Sequence, residues 1–166
     1  MLRLKHEVFV MNKILIIIDK VFEWASALIL GLMMILMALQ VLFRYVLNSP
    51  LAWSEELARF AFIWMTFIAG YLAARNAEHV AITAVQDRLP IVPSKIIKLA
   101  TNWISTLFFG IVAFYCIEQW NTLSSQTSSA MRIPMSMVYL GMIIGAVFIA
   151  LAYFITGINS VIGKRQ

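Results

Sequence analysis

The fold follows from a run of twenty residues near the start of the chain, 24-WASALILGLMMILMALQVLF-43, in which no side chain is charged. Only Ser26 and Gln40 are strongly polar. A bilayer core of about 30 Å is crossed by roughly 20 apolar residues in an α-helix, which satisfies its own backbone hydrogen bonds. The run therefore predicts a first membrane-spanning helix over residues 24–43.

Three more apolar stretches predict further spans, over residues 57–74, 99–117 and 134–162. The second begins beside Arg59, whose long side chain can reach the membrane surface from a position just inside it. The composition agrees with a chain that lies largely in lipid, because 62% of its 166 residues are hydrophobic and 13% are charged. We therefore expect one all-α membrane domain, residues 1–166, with four transmembrane helices.

The segment before the first span, residues 1–23, has a polar and an apolar face. Lys13, Asp19 and Lys20 fall on one side of a helix, opposite Ile18 and Phe22. This pattern predicts a short amphipathic helix in the membrane interface, either separate from the first span or continuous with it. A cleaved signal peptide is the rival interpretation, but the apolar run exceeds the usual signal core of about 7 to 15 residues and lacks a cleavage site.

Basic residues predict the orientation of the spans, since cytoplasmic segments near span ends retain Lys and Arg. Ten of them precede span one, lie between spans two and three, or follow span four: Arg3, Lys5, Lys13, Lys20, Arg75, Arg88, Lys95, Lys98, Lys164 and Arg165. The other face carries Arg44, Arg59 and Arg132. Both termini are therefore expected in the cytoplasm, with extracytoplasmic connections around residues 44–56 and 118–133.

The residue inventory argues against several classes of function. One cysteine, Cys116, and two histidines outside the spans, His6 and His79, offer no haem, iron-sulfur or other metal site. No cofactor is expected, and the net charge of +5 reflects membrane orientation rather than binding of nucleic acid. No nucleophile or histidine stands beside the charged residues, so the sequence does not predict an enzyme. Broken helices, the mark of a transporter's own binding site, are also absent.

The densest polar feature joins spans one and two, 44-RYVLNSPLAWSEELAR-59. Ser49 suits a helix cap followed by Pro50 in the first turn, and Glu55 or Glu56 can pair with Arg59 along one helical face. One interpretation is a capped hairpin that does no more than join two spans. The other is a contact site, because polar clusters at a membrane boundary often bind something. Proton transport through the glutamates is a weaker alternative, since both precede the span.

Two further patterns bear on contacts. Gly141 and Gly145 form a GxxxG motif in span four, where small residues let helix backbones approach closely, either within the chain or against a partner. The polar tract 121-NTLSSQTSS-129 is expected to be a solvated external loop.

The residues through spans one and two resemble a known family, the DctQ-like small membrane subunit of the tripartite ATP-independent periplasmic (TRAP) transporters. The most specific part is 43-FRYVLNSPLAWSEELARF-60, followed by Trp64, Gly70 and 74-ARNAEH-79, with a weaker match at 132-RIPMSMVYLG-141. The resemblance covers nearly the whole chain after Met11.

The resemblance implies a scaffold in the bacterial inner membrane that holds a large membrane subunit. That subunit would take up an organic anion, a carboxylate or sialic acid, coupled to sodium, after delivery by a transiently bound periplasmic binding protein. Membrane lipids would cover the remaining surface. An autonomous small homo-oligomeric transporter or channel is the rival hypothesis. The resemblance places the partner-subunit interface at Arg44, Pro50, Trp53, Glu55, Glu56, Arg59, Trp64, Gly70 and His79.

Overall fold

Five α-helices make up the computed structural model, which describes the backbone of residues 2–86 and 91–162 and the side chains of residues 15–75, 96–158 and 160. The helices are α1 (Leu2–Tyr45), α2 (Ala52–Gln86), α3 (Ile91–Glu118), α4 (Trp120–Ser125) and α5 (Met135–Ile162). Four of them contain stretches long and apolar enough to cross a membrane: Leu15–Tyr45, Ala52–Arg75, Ile96–Glu118 and Met135–Ile158. The predicted all-α fold with four transmembrane helices is confirmed, and the chain is a multi-pass membrane protein.

The four long helices pack in a row whose order differs from their order in the chain. Helix α1 packs on α2, α2 packs on α5, and α5 packs on α3. Helices α2 and α3 are consecutive in sequence yet barely touch, because α5 lies between them. The short α4 rests against α5 and α3.

The best-packed part of the row centres on α2 and α5. Tyr71, Ala74, Ile149 and Ala152 are buried together there. The ring of Phe22, from α1, lies 4.9 Å from the ring of Tyr71 and 5.2 Å from that of Phe148 on α5, both edge-on, as aromatic pairs prefer. This aromatic cluster attaches the middle of α1 to both α2 and α5.

Small residues bring α2 and α5 close together. A Cβ added at Gly141 would come within 2.6 Å of the Trp64 ring, and one added at Gly145 would collide with Phe67. The GxxxG motif of α5 therefore faces α2 of the same chain, and its two glycines provide room for large side chains of that helix.

The amino-terminal segment is one uninterrupted helix with the first span, since α1 extends from Leu2 to Tyr45. The side chains of residues 1–14 lie outside the described part of the chain, so the interfacial position of residues 1–23 stays a prediction. The carboxyl-terminal end of that segment is packed within the chain on one side, because Phe22 contacts α2 and α5.

Candidate partner-docking site at the loop end of the helices

Two connections meet at the same ends of the long helices: residues 46–51, between α1 and α2, and residues 126–134, between α4 and α5. We call this the loop end. In the first connection Asn48 adopts a left-handed backbone conformation, with φ at 50°, which asparagine tolerates better than most residues. The amide of Ser49 donates to the carbonyl of Phe43 at 3.0 Å and closes the turn.

Helix α2 begins later than the capping pattern predicts. Its first residue is Ala52, so the predicted cap at Ser49 with Pro50 in the first turn is wrong. The chain needs residues 46–51 to reverse direction, and both residues lie within that turn. Ser54 instead stabilises the helix start, because its hydroxyl donates to the carbonyl of Leu51 at 2.8 Å and its side chain is fully buried.

Glu56 ties the two connections together. Its carboxylate accepts hydrogen bonds from three consecutive backbone amides, those of Ser129 at 3.1 Å, Ala130 at 3.1 Å and Met131 at 2.8 Å. Consecutive amides that point to one spot form a concave anion-binding nest, and a carboxylate fills it well. The start of α2 is thereby bound to a loop far away in the sequence.

The loop that Glu56 holds is itself closed by short hydrogen bonds. The amide of Ser128 donates to the carbonyl of Ile133 at 2.9 Å, and the amide of Ile133 donates to the Ser128 hydroxyl at 3.1 Å. Arg132 has a left-handed φ of 54°, and its amide donates to the carbonyl of Ser128 at 3.2 Å. Residues 128–133 therefore form a small turn whose backbone amides are hydrogen-bonded.

Two sequence predictions for this end are corrected. Neither Glu55 nor Glu56 pairs with Arg59: among the described side chains, the ion pair found is between Asp19 and Arg75. The glutamate turns toward three amide donors rather than one exposed guanidinium on its own helix. The tract 121–129 is only partly a loop, because its first part belongs to α4; most of its side chains are exposed as expected, whereas Leu123 and Ser128 are buried.

A shallow depression of about 180 Å³ lies beside this turn, between α1 and α2. It brings together Arg44 and Glu55, two of the predicted interface residues, with Gln40 of the first span. The Arg44 guanidinium lies 5.9 Å from the centre of the Tyr45 ring, within cation–π range. Val41, Tyr45, Pro50 and Leu51 complete the walls.

The remaining predicted interface residues do not form one surface with these. Trp53 and Arg59 are exposed near the loop end, whereas Trp64 packs against Gly141 and Gly70 faces Ile149, both within the chain. His79 lies in α2, but its side chain falls outside the described residues. The structure therefore brings together part of the predicted set and places two of its members between α2 and α5.

The sequence interpretation missed a polar network between α1 and α2, at the end of the spans opposite the loop end. Asp19 accepts a hydrogen bond from the Tyr71 hydroxyl at 2.8 Å and forms an ion pair with Arg75 at 2.9 Å. One signal could have found it: Asp19 and Arg75 are almost equally far in sequence from the Asn48 turn, and residues so placed on two antiparallel helices lie side by side.

Comparisons with known proteins agree on one family. The description "Tripartite ATP-independent periplasmic transporters, DctQ component" matches residues 33–162. A Haemophilus influenzae protein assigned as a TRAP transporter small permease is 28% identical over 145 residues, which cover 87% of this chain and 89% of that one.

Two relatives carry sialic acid in their names. The Vibrio cholerae sialic acid TRAP transporter small permease protein SiaQ is 34% identical over 74 residues, or 45% of this chain and 43% of that one. The Haemophilus influenzae sialic acid TRAP transporter permease protein SiaT is 37% identical over 99 residues, 59% of this chain but only 15% of that longer one. The chain therefore belongs to the DctQ component family of the TRAP transporters, and it is a transporter subunit rather than an enzyme.

Proposed function

We propose that this chain is the fixed scaffold of a TRAP transporter: it holds a large membrane subunit that takes up an organic anion, a carboxylate or sialic acid, coupled to sodium. A periplasmic binding protein delivers the anion and binds only transiently. The scaffold lies in the bacterial inner membrane with both termini in the cytoplasm, as the distribution of Lys and Arg favours.

The middle parts of the spans support a role without a transport site of their own. Residues 24–43, 60–74, 99–117 and 135–158 contain no charged side chain. Ionisable residues at depth in the membrane usually mark an ion or substrate pathway. The described charges lie toward the ends of the candidate spans, where Asp19 pairs with Arg75 at one end and Glu56 binds the turn 128–133 at the other.

The observation that carries the proposal is the exposed apolar surface of the outer helices. In the candidate span of α1 only 6% of the residues in the most apolar stretch are buried within the chain, against 33% in α5. Trp24 and Leu28 are each 70% exposed, and Phe114 of α3 is 63% exposed. Such a surface must be covered by lipid or by another membrane protein. A row of four helices presents two broad faces for that purpose.

The longer relative supports a large partner in particular. The matching stretch is a small part of the SiaT chain, so in that protein a segment similar to this one is covalently joined to a much longer remainder. A covalent link raises the effective concentration of two domains that meet at an interface, and the same interface can hold them together as separate chains.

The test is co-purification with the large subunit, followed by uptake measured in liposomes. Arg59 and Glu55 are exposed and have no hydrogen-bond or ion-pair partner among the described residues, so Arg59→Ala and Glu55→Ala should leave the isolated subunit as stable as wild type. We expect both to reduce recovery of the large subunit. Lys98→Ala, at the end of the α3 span opposite the loop end, should leave that recovery unchanged.

Two results would contradict the proposal. If this chain transports an organic anion or dissipates a proton gradient without any other protein, the scaffold role fails and the homo-oligomeric transporter or channel replaces it. If no larger membrane protein accompanies the wild-type chain through purification in mild detergent, the chain does not bind a large subunit and the scaffold role is contradicted.

A further inference from the structure

Glu56 stands out among the loop-end charges because all of its described hydrogen bonds reach a different part of the chain. The three amides that it binds belong to residues 73 to 75 positions later in the sequence. Glu55, the preceding residue on the same helix, is exposed and has no such partner among the described residues. The two glutamates are therefore chemically alike but differ completely in what they hold.

The turn that Glu56 holds presents an arginine. Arg132 is exposed, and no carboxylate of the described residues lies within ion-pair distance of its guanidinium. Its left-handed backbone is one that residues other than glycine and asparagine rarely adopt, so the surrounding hydrogen bonds must maintain it. Those bonds are the Ser128 contacts inside the turn and the Glu56 contacts from outside it.

We infer that Glu56 is a positioning residue: it fixes the turn 128–133 in one conformation so that Arg132 can bind an acidic patch on the periplasmic binding protein. The inference rests on the proposed function, since it needs that binding protein to dock at the loop end. Preorganisation is the physical reason. A turn already held in its bound conformation loses less conformational entropy when a partner docks than a turn that must first become ordered.

Charge complementarity explains why an arginine would be held there. An exposed guanidinium without an internal acid partner attracts carboxylates of a soluble protein at long range. At contact it can form a bidentate ion pair with a carboxylate. Its neighbours in the turn, Ser129 and Ala130, are small and exposed, so they leave the approach to Arg132 open.

The first experiment measures amide hydrogen exchange in the subunit in detergent micelles or nanodiscs. Glu56→Gln replaces one acceptor oxygen by an NH2 group that faces amide donors, so the bonds to residues 129–131 weaken. We expect exchange in peptides that contain residues 129–131 to become about tenfold faster or more. Glu55→Gln is the matched control and should leave exchange unchanged. Equal exchange in the two variants would overturn the role of Glu56.

The second experiment measures uptake by the complete transporter while the concentration of loaded binding protein is varied. Glu56→Gln and Arg132→Gln should each raise the half-saturating concentration by about threefold to tenfold, with the maximal rate within about twofold of wild type. The double variant should resemble Arg132→Gln, because Glu56 acts through the turn that carries Arg132. A merely structural role would lower the maximal rate with the amount of assembled transporter and leave the half-saturating concentration unchanged.

Failure of the inference and failure of the proposed function give different results. If wild-type uptake depends on the binding protein but neither variant changes the half-saturating concentration, Glu56 and Arg132 do not form the docking surface. Additive effects in the double variant would show that Glu56 acts independently of Arg132. If wild-type uptake shows no dependence on a binding protein, the proposed function itself is contradicted.

Discussion

The close contact between α2 and α5 predicts that Gly145→Ala destabilises the subunit. A methyl group at this position would collide with the Cβ of Phe67 and lie 3.1 and 3.2 Å from its backbone carbonyl carbon and Cα. Carbon atoms in good contact are about 3.5 to 4.0 Å apart. The two helices must therefore move apart, or Phe67 must shift together with its backbone.

The expected magnitude follows from two opposing effects. Overpacking of a tight interface costs about 1 to 3 kcal/mol. Alanine in place of glycine favours the helix by up to about 1 kcal/mol. With the full helix preference of alanine subtracted, the net loss in the free energy of unfolding should be about 0 to 2 kcal/mol. Gly110→Ala is the matched control, because nothing lies within 4 Å of a Cβ added there, and it should be neutral or slightly stabilising.

Unfolding of the isolated subunit by a denaturing detergent, followed through the fluorescence of its five tryptophans, gives this comparison. The isolated subunit is needed because Gly110 is exposed on α3, where a partner could contact it. If Gly145→Ala is as stable as Gly110→Ala, the helices are not in close contact at Gly145, and the packing described for α2 and α5 is wrong.

Three further predictions concern the network, the helix start and the orientation. Tyr71→Phe should lower the free energy of unfolding by about 1 kcal/mol, because it removes the hydrogen bond to Asp19 and keeps the ring contacts with Phe22; no change would mean that the bond contributes nothing. Ser54→Ala should cost a similar amount through the lost bond to the Leu51 carbonyl, measured by the same unfolding. In a Cys116→Ala background, a cysteine at Ser49 should react with a membrane-impermeant maleimide in intact cells, whereas one at Gln166 should react only after lysis; the reverse pattern would invert the orientation.

The spans were predictable because their signal is local. A run of uncharged residues of the right length can do little but cross a bilayer, and residues 24–43, 99–117 and 134–162 satisfy that condition without any knowledge of their neighbours. The order of the helices in the row was not predictable in this way. That α5 separates α2 from α3 depends on which apolar faces fit each other, and the hydropathy of a run of residues contains no information about that fit.

The loop end shows the same limit at the level of single side chains. Spacing along a helix favours a pair between Glu56 and Arg59, and it contains no information about residues 129–131. In the folded chain those amides donate three hydrogen bonds to Glu56. Together they stabilise its carboxylate more than an ion pair with one exposed guanidinium would. The predicted pair with Arg59 was thus wrong, because the true partners of Glu56 lie in a part of the chain that helical spacing does not reach.

The position of α5 in the row also bears on how the protein is made. Helices α1 and α2 are neighbours in sequence and in space, so they can associate as soon as both have left the ribosome. Helix α3 finds its main neighbour in α5, which is synthesised after it. During biogenesis α3 must therefore wait in the lipid without its native contacts. A chain that ends before Met135 would consist of a helical hairpin and a separate third helix, and quality-control proteases would be expected to remove it.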